Sequence, residues 1–252
     1  MNKHEFALYY PSLSEYVSTN SMSLHITDKD LCHRLGVVLR FQPAQTLVLF
    51  DKKIWASVTL VTIDRKSFTA AIHVIHKNKP IQPDVTAIIP LIKKDSLETL
   101  FYHLVELGVT RYQLVTSQKT QRAWGGIKEH IRLENIMIAA AEQSKNFYIP
   151  QSLGEPVSLE DALSFFNQQS HHYEKIFFDV DGLPLASYVS LHHGKSHNNF
   201  LITVGPEGDY TQSEKDMLKS HAFTTVKLTP TVLRSWQAAT LGIGVIRSYF
   251  TD

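Results

Sequence analysis

Gly205, Pro206, Glu207 and Gly208 follow directly on the apolar run Phe200 to Val204. A run of this kind, read as a buried parallel strand, delivers its carboxyl end into a tight glycine turn. Open α/β sheets bind ligands at such strand ends. Neither Gly205 nor Gly208 carries a Cβ, so the main chain can come close to a bound molecule. A second run, Thr224 to Leu228, ends in Thr229-Pro230-Thr231-Val232-Leu233-Arg234. Two such ends with exposed backbone groups could clasp a flat polar ligand between them. The plainer alternative is a strand-to-helix turn that binds nothing.

The elements that would position these turns are legible around them. Thr211-Gln212-Ser213-Glu214 matches a capping box, in which hydroxyl and carboxylate satisfy each other's orphan backbone donors and open a helix. Gln237 to Tyr249 is an apolar helix containing the small residues Ala238, Ala239, Gly242 and Gly244. Upstream, strands are expected at Asp84 to Ile92, Gln113 to Thr116 and Lys175 to Val180, the last leaving through a loop, Asp179-Val180-Asp181-Gly182. Helices are expected at Asp95 to Leu107, ending at Gly108, at Ile127 to Ser144, and at Leu159 to Gln168 with Ser158 as N-cap. Strands alternating with helices imply a parallel α/β sheet.

Before that pattern, residues 23 to 79 read as strands, with Asp51-Lys52-Lys53 as a hairpin turn between Leu47–Phe50 and Ile54–Ile63. A small β-barrel is the economical fold for them. Lys77 to Pro83 is polar, carries two prolines and marks the boundary, giving domains at 1–80 and 81–252.

Composition narrows the function classes. The net charge is +1, with ten lysines and arginines against seven acids in residues 1–85, eight against six in 86–150, and seven against eleven in 151–252. The first two-thirds could face phosphate, whereas the acidic last third could not do so broadly. No run is long and apolar enough to span a bilayer and no signal-peptide core follows Met1, so a cytoplasmic location with no membrane partner is expected. Cys32, the single cysteine, reads as a small apolar residue. Thirteen scattered histidines give no metal-ligand spacing. His192, His193 and His197, in an expected connecting loop from Ser190 to Asn199, are the nearest approach to one, and no metal is expected there.

The stretch LITVGPEGDYTQSEKDML followed by KLTPTVLRSWQAATLGIGVI resembles the C-terminal half of the RsmE family. Its members are ribosomal RNA methyltransferases that use S-adenosylmethionine to methylate N3 of a uridine in the small-subunit RNA. Gly205, Pro206, Glu207, Gly208, Leu228, Val232, Leu233, Arg234 and Ala238 match the family's two motifs. Asp209 stands where a second glycine is usual, Thr229 where a glycine follows the leucine, and Trp236-Gln237 where glutamate-threonine is usual. Glu106 to Thr110 and Ala140 to Ser144 with Ile149-Pro150 are similar to two further signatures, with His103 and Lys119 at positions where relatives carry lysine and arginine. The resemblance covers nearly the whole chain.

That resemblance implies a SPOUT-type α/β fold with a trefoil-knotted parallel sheet, an N-terminal PUA-like β-barrel that binds RNA, and a homodimer. It also implies a cofactor site built from Phe178, Asp179, Gly205, Pro206, Glu207, Gly208, Leu228, Thr229 and Leu233. Arg234 is the expected catalytic residue, its guanidinium favouring the anion of N3; a structural pairing with Glu207 is the competing role. The expected partner is 16S rRNA in the small ribosomal subunit. His33, Arg34 and Arg40, with Lys52 and Lys53, are candidate phosphate contacts; each could equally be an ion-paired or packed residue. Lys119, Arg122 and Trp124 fall in a basic, glycine-containing loop that could fold onto unpaired RNA and stack a base on the indole. Trp124 could instead pack into its own domain. The rival functions are an RNA-binding protein of this fold without methyl transfer, and an enzyme with a different target base.

Overall fold

A computed structural model of the protein describes residues 5–17, 22–170, 172–192 and 199–250. The chain divides into two compact units, residues 1–79 with 141–149, and residues 80–140 with 150–252.

The first unit contains β1 (Phe6–Tyr9), α1 (Leu13–Tyr16), β2 (Ser23–Ile26), α2 (Lys29–His33), β3 (Thr46–Phe50), β4 (Ile54–Ile63) and β5 (Phe68–Lys77). A sheet in the order β1-β3-β4-β5-β2 carries its core, with β1 parallel to β3 and the other pairs antiparallel. Among the described residues this sheet has two free edges, so it is an open sheet where a closed barrel was expected. The all-strand reading of residues 23 to 79 also gives way at residues 29–38, where α2 runs into a π-helical turn, Arg34–Val38. Asp28 caps this segment, its carboxylate accepting from the Leu31 N–H at 2.9 Å. Leu31, Cys32 and Leu35 are buried in the sheet's core, which explains why the segment stays helical despite its β-branched end. Burial also pushes the Cys32 thiol pKa up.

The β3–β4 hairpin forms as its sequence predicts. Asp51 Oδ1 accepts from the N–H groups of Lys53 (2.7 Å) and Ile54 (2.8 Å), so the aspartate side chain closes the turn.

The second unit contains β6 (Asp84–Pro90), α3 (Lys94–Glu106), β7 (Arg111–Thr116), α4 (Ile127–Ser144), β8 (Gln151–Ser152), β9 (Val157–Ser158), α5 (Leu159–Gln168), β10 (Glu174–Pro184), α6 (Leu185–His192), β11 (Asn199–Val204), α7 (Gln212–Ser220), β12 (Thr224–Lys227) and α8 (Ser235–Phe250). The last turn of α4 belongs to the first unit. The strands pair in the order β12-β10-β11-β6-β7-β8, with β9 also on β7, and every pair is parallel. β6 and β11 are buried along nearly their whole length, as unbroken apolar strands covered on both faces must be.

Two details depart from the sequence expectation. The segment Asp179 to Gly182 is a bulge in a longer strand, because β10 shifts register between Phe178 and Leu183 and pairs again with β12. At Gly182 a Cβ would lie 2.5 Å from the Val226 backbone nitrogen, so only glycine fits there. Ser190 to His192 complete α6 and are not loop; His193, Lys195 and His197 lie outside the described residues.

Candidate active site

The parallel order β12-β10-β11-β6 places four strand ends on one side of the second unit, and their outgoing segments line one cavity of about 670 Å³. That volume suits a small-molecule cofactor. From the expected cofactor set, Phe178, Asp179, Gly205, Pro206, Glu207 and Leu233 line it, and Arg234 joins them. Gly208 lines a small neighbouring cavity with Lys119. Leu228 and Thr229 are not among the described lining residues; the Thr229 hydroxyl donates to the Thr231 carbonyl at 2.7 Å, within the turn.

Sequence reasoning missed Ile92, Lys93 and Ser96, which enter from the end of β6. The rule that ligands sit at carboxyl ends of adjacent strands would have found them once β6 was known to neighbour β11. Trp236 also lines the cavity and stacks on His103, ring centroids 6.0 Å apart and 15° from parallel. Both are positions where the chain departs from the RsmE pattern.

The turn after β11 survives the replacement of glycine by Asp209. Asp209 adopts φ 59°, a left-handed conformation that aspartate tolerates better than most residues, and its N–H donates to the Pro206 carbonyl at 2.9 Å. A Cβ on Gly205 would lie 2.6 Å from Asp209 Oδ1 and 3.4 Å from the backbone of Asp209 and Tyr210, so any side chain at 205 would have to displace the Asp209 carboxylate. The capping box that starts α7 is present, Thr211 accepting from the Glu214 N–H and Glu214 from the Thr211 N–H. Buried Glu214 also accepts from the Gln118 N–H at 2.8 Å, tying the loop after β7 to the turn.

Charge around the cavity is mostly committed. Asp179, with its side chain 4% exposed, pairs with Lys215 at 2.5 Å, and Lys215 also reaches Asp209 at 2.7 Å. Burial works against the Lys215 ammonium, but the two carboxylates outweigh it and hold its pKa above the ordinary lysine value. Glu207 accepts from the backbone N–H of Lys93 at 2.8 Å, and no Arg234–Glu207 ion pair is present among the described residues. Arg234 is exposed at the cavity wall, its backbone N–H meeting Gln237 Oε1.

The basic loop is more firmly held than its sequence suggested. Arg122 spans Glu129 (2.8 and 2.9 Å) and the Ile92 carbonyl (2.5 Å), so its guanidinium braces the cavity wall and is not free for phosphate. Lys119 Nζ donates to the Gly208 carbonyl at 2.8 Å, and Trp124 Nε1 donates to Glu155 at 2.8 Å while the ring stays partly exposed. In the first unit, Arg34 forms a two-pronged pair with Glu142 (3.0 and 2.6 Å), whereas His33 and Arg40 are exposed.

α8 closes the cavity from behind. Gly242 packs so tightly on Phe178 that a Cβ there would overlap the ring, so this small residue serves intrachain packing. Arg247 donates to the carbonyls of Leu107, Gly108, Ile81 and Pro83; burial pulls its pKa down to about 10, which leaves it charged at neutral pH. No group of histidine, cysteine and acidic side chains suited to a metal occurs among the described residues. No described helix is long and apolar enough to cross a membrane.

This chain is similar to known proteins along its whole length. The ribosomal RNA small subunit methyltransferase E of Rickettsia conorii is 24% identical over 222 residues, 85% of either chain. The protein of that name from Mycobacterium tuberculosis is 24% identical over 249 residues, 92% of this chain and 89% of its own. The crystal structure of ribosomal RNA small subunit methyltransferase E from Neisseria gonorrhoeae, bound to S-adenosyl methionine, superposes with a TM-score of 0.80 at 22% identity, covering 99% of each chain. A family model described as the RNA methyltransferase domain matches residues 78–247, a span that holds every residue of the cavity. The chain therefore belongs to the RNA methyltransferase domain family, where the ribosomal RNA small subunit methyltransferase E proteins are its relatives.

Proposed function

We propose that this protein methylates N3 of a uridine in 16S rRNA of the small ribosomal subunit, with S-adenosylmethionine as methyl donor. The observation that carries this reading is the meeting of three segments, 178–180, 205–209 and 232–238, on one cavity at the strand ends. The residues present fit that cofactor. Ile92, Phe178, Val204 and Leu233 offer apolar walls to a base, backbone groups of the turns offer hydrogen bonds, and Glu207 offers negative charge to an ammonium or sulfonium. When bound, the cofactor supplies an electrophilic methyl group.

The protein's own task is to present and activate the nucleophile. A uridine must leave its stack to expose N3. N3 attacks only after losing its proton, and the Arg234 guanidinium at the cavity wall stabilises the resulting anion electrostatically. That proton would leave to solvent before the bound cofactor supplied its methyl group to the N3 anion held beside Arg234. Gly208 and Lys119 hold the turn from outside the cavity, and Leu228 and Thr229 set the shape of the second turn. His33, Arg34, Arg40, Lys119 and Trp124 are proposed as RNA contacts; Arg122 is assigned to bracing.

The first unit is then a PUA-like RNA-binding module, and the second a SPOUT domain in which α8 and the segment before it thread a trefoil knot. A homodimer acting in the cytoplasm accords with the same reading. The test is incubation of purified protein with unmodified small subunits and methyl-labelled cofactor, followed by mass spectrometry of the nucleosides. Labelled 3-methyluridine is the expected product. Cofactor binding without transfer would favour an RNA-binding module, and label on another base would favour a differently targeted enzyme.

A further inference from the structure

An open cleft of about 570 Å³ lies within the first unit, away from the residues of the methyl-transfer cavity in sequence and in lining. Its floor is aromatic. Trp55 and His76 face each other across β4 and β5 as a register pair, ring centroids 4.6 Å apart, and Phe147 packs on Trp55 at 5.7 Å. Its rim is cationic, with Lys77, Lys79 and Lys145, and no acidic residue lines it among the described residues. Lys145 is fixed there by a left-handed backbone, φ 63°, and by its Nζ donating to the Glu142 carbonyl at 3.1 Å.

One polar atom at this cleft lacks a partner. Asn78 donates from Nδ2 to the carbonyls of Asp51 (2.7 Å) and Phe147 (3.0 Å), which fixes the amide orientation. Its Oδ1, shielded from water, has no hydrogen-bond partner among the described residues. Aromatic rings for stacking and ammonium groups for phosphate together describe the chemistry of an unpaired nucleotide.

We propose that this cleft binds an unpaired nucleotide of the substrate RNA, the base lying against Trp55 and His76 and its phosphates meeting Lys77, Lys79 and Lys145. The proposal rests on the reading of this protein as an RNA methyltransferase, and it adds a second RNA-binding position outside the methyl-transfer cavity.

The experiment is fluorescence anisotropy with a labelled single-stranded oligoribonucleotide, on the full chain, without cofactor. His76→Ala, at an exposed position, should weaken binding roughly five-fold or more. Lys77→Ala with Lys79→Ala should lower the slope of log affinity against log salt by about 1.4, roughly 0.7 for each phosphate no longer neutralised. Trp55→Phe keeps a ring at the cleft floor and should weaken binding less than His76→Ala weakens it; circular dichroism checks that each variant is folded. In methyl transfer to small subunits, the cleft variants should raise KM and leave kcat unchanged. Oligonucleotide binding and salt slope equal to wild type in all three variants would overturn the proposal, even with methyl transfer intact. Absence of methyl transfer in the wild-type protein, with oligonucleotide binding still weakened in the variants as expected, would overturn the enzymatic reading and leave the cleft standing.

Discussion

Lys215 Nζ lies 2.5 Å from Asp179 Oδ2, an ion pair that ties the first turn of α7 to the bulge of β10. The same ammonium reaches Asp209, so one lysine holds two walls of the strand-end cavity at a fixed spacing. Lys215→Met removes both ties and leaves the nearly buried Asp179 carboxylate uncompensated, a change expected to cost about 3 kcal/mol of stability. Thermal unfolding measures that loss, and titration calorimetry should show cofactor affinity falling by roughly ten-fold or more. Unchanged affinity would mean that the walls hold their spacing without the lysine.

Arg234→Ala should lower methyl transfer by about two orders of magnitude while leaving cofactor affinity within a few-fold of wild type, because the proposed role acts on the uridine anion. Arg234→Lys keeps the charge and loses the planar fork, so partial activity is expected. The pH profile separates charge from structure. Activity of Arg234→Ala should recover at alkaline pH, where N3 ionises without help, and a flat profile would remove Arg234 from activation.

Gly242 and Gly244 lie two positions apart on α8 and predict opposite outcomes. A Cβ at 242 meets the Phe178 ring, whereas nothing lies within 4 Å of a Cβ at 244. Gly242→Ala should therefore destabilise by roughly 1–3 kcal/mol through overpacking. Gly244→Ala should stabilise by about 0.5–1 kcal/mol, because it reduces the freedom of the unfolded chain in a helix interior. Urea unfolding of the two variants side by side checks both signs.

Asp51 predicts a pH dependence in the first unit. Burial pushes its pKa up, but backbone N–H groups of Ile54, Lys53 and Ser14 outweigh burial and hold it below the ordinary carboxylate value. Because the folded value lies below the unfolded one, the stabilisation is fully present above pH ~4 and is lost as pH falls through the folded pKa. Asp51→Asn should cost roughly 1–3 kcal/mol at pH 7, and the difference from wild type should shrink below pH ~4. A difference independent of pH would show that shape, and not charge, closes the hairpin.

Local chemistry made several elements of this chain readable without coordinates. Thr211 and Glu214 carry their helix start in their own hydroxyl and carboxylate, and Asp51 carries its turn in the same way. The apolar stretches that became β6 and β11 could hardly be anything but strands buried on both faces. These are interactions among residues close in the chain, so sequence spacing is enough to specify them.

Sequence alone therefore determined most strands and helices of the second unit, the capping box at Thr211 and the Asp51 hairpin turn, but not the helical segment at 29–38 or the bulge at 179–182. The tertiary structure decided which of those residues meet. Leu228 and Thr229 are not among the described lining residues while Ile92, Lys93 and Ser96 are, because strand order sets the end of β6 beside β11. Arg122 looks in sequence like an exposed cation, and only its partners in the fold, Glu129 and the Ile92 carbonyl, commit it. The open sheet of the first unit likewise depends on which edges pair, a choice that no short stretch of residues encodes.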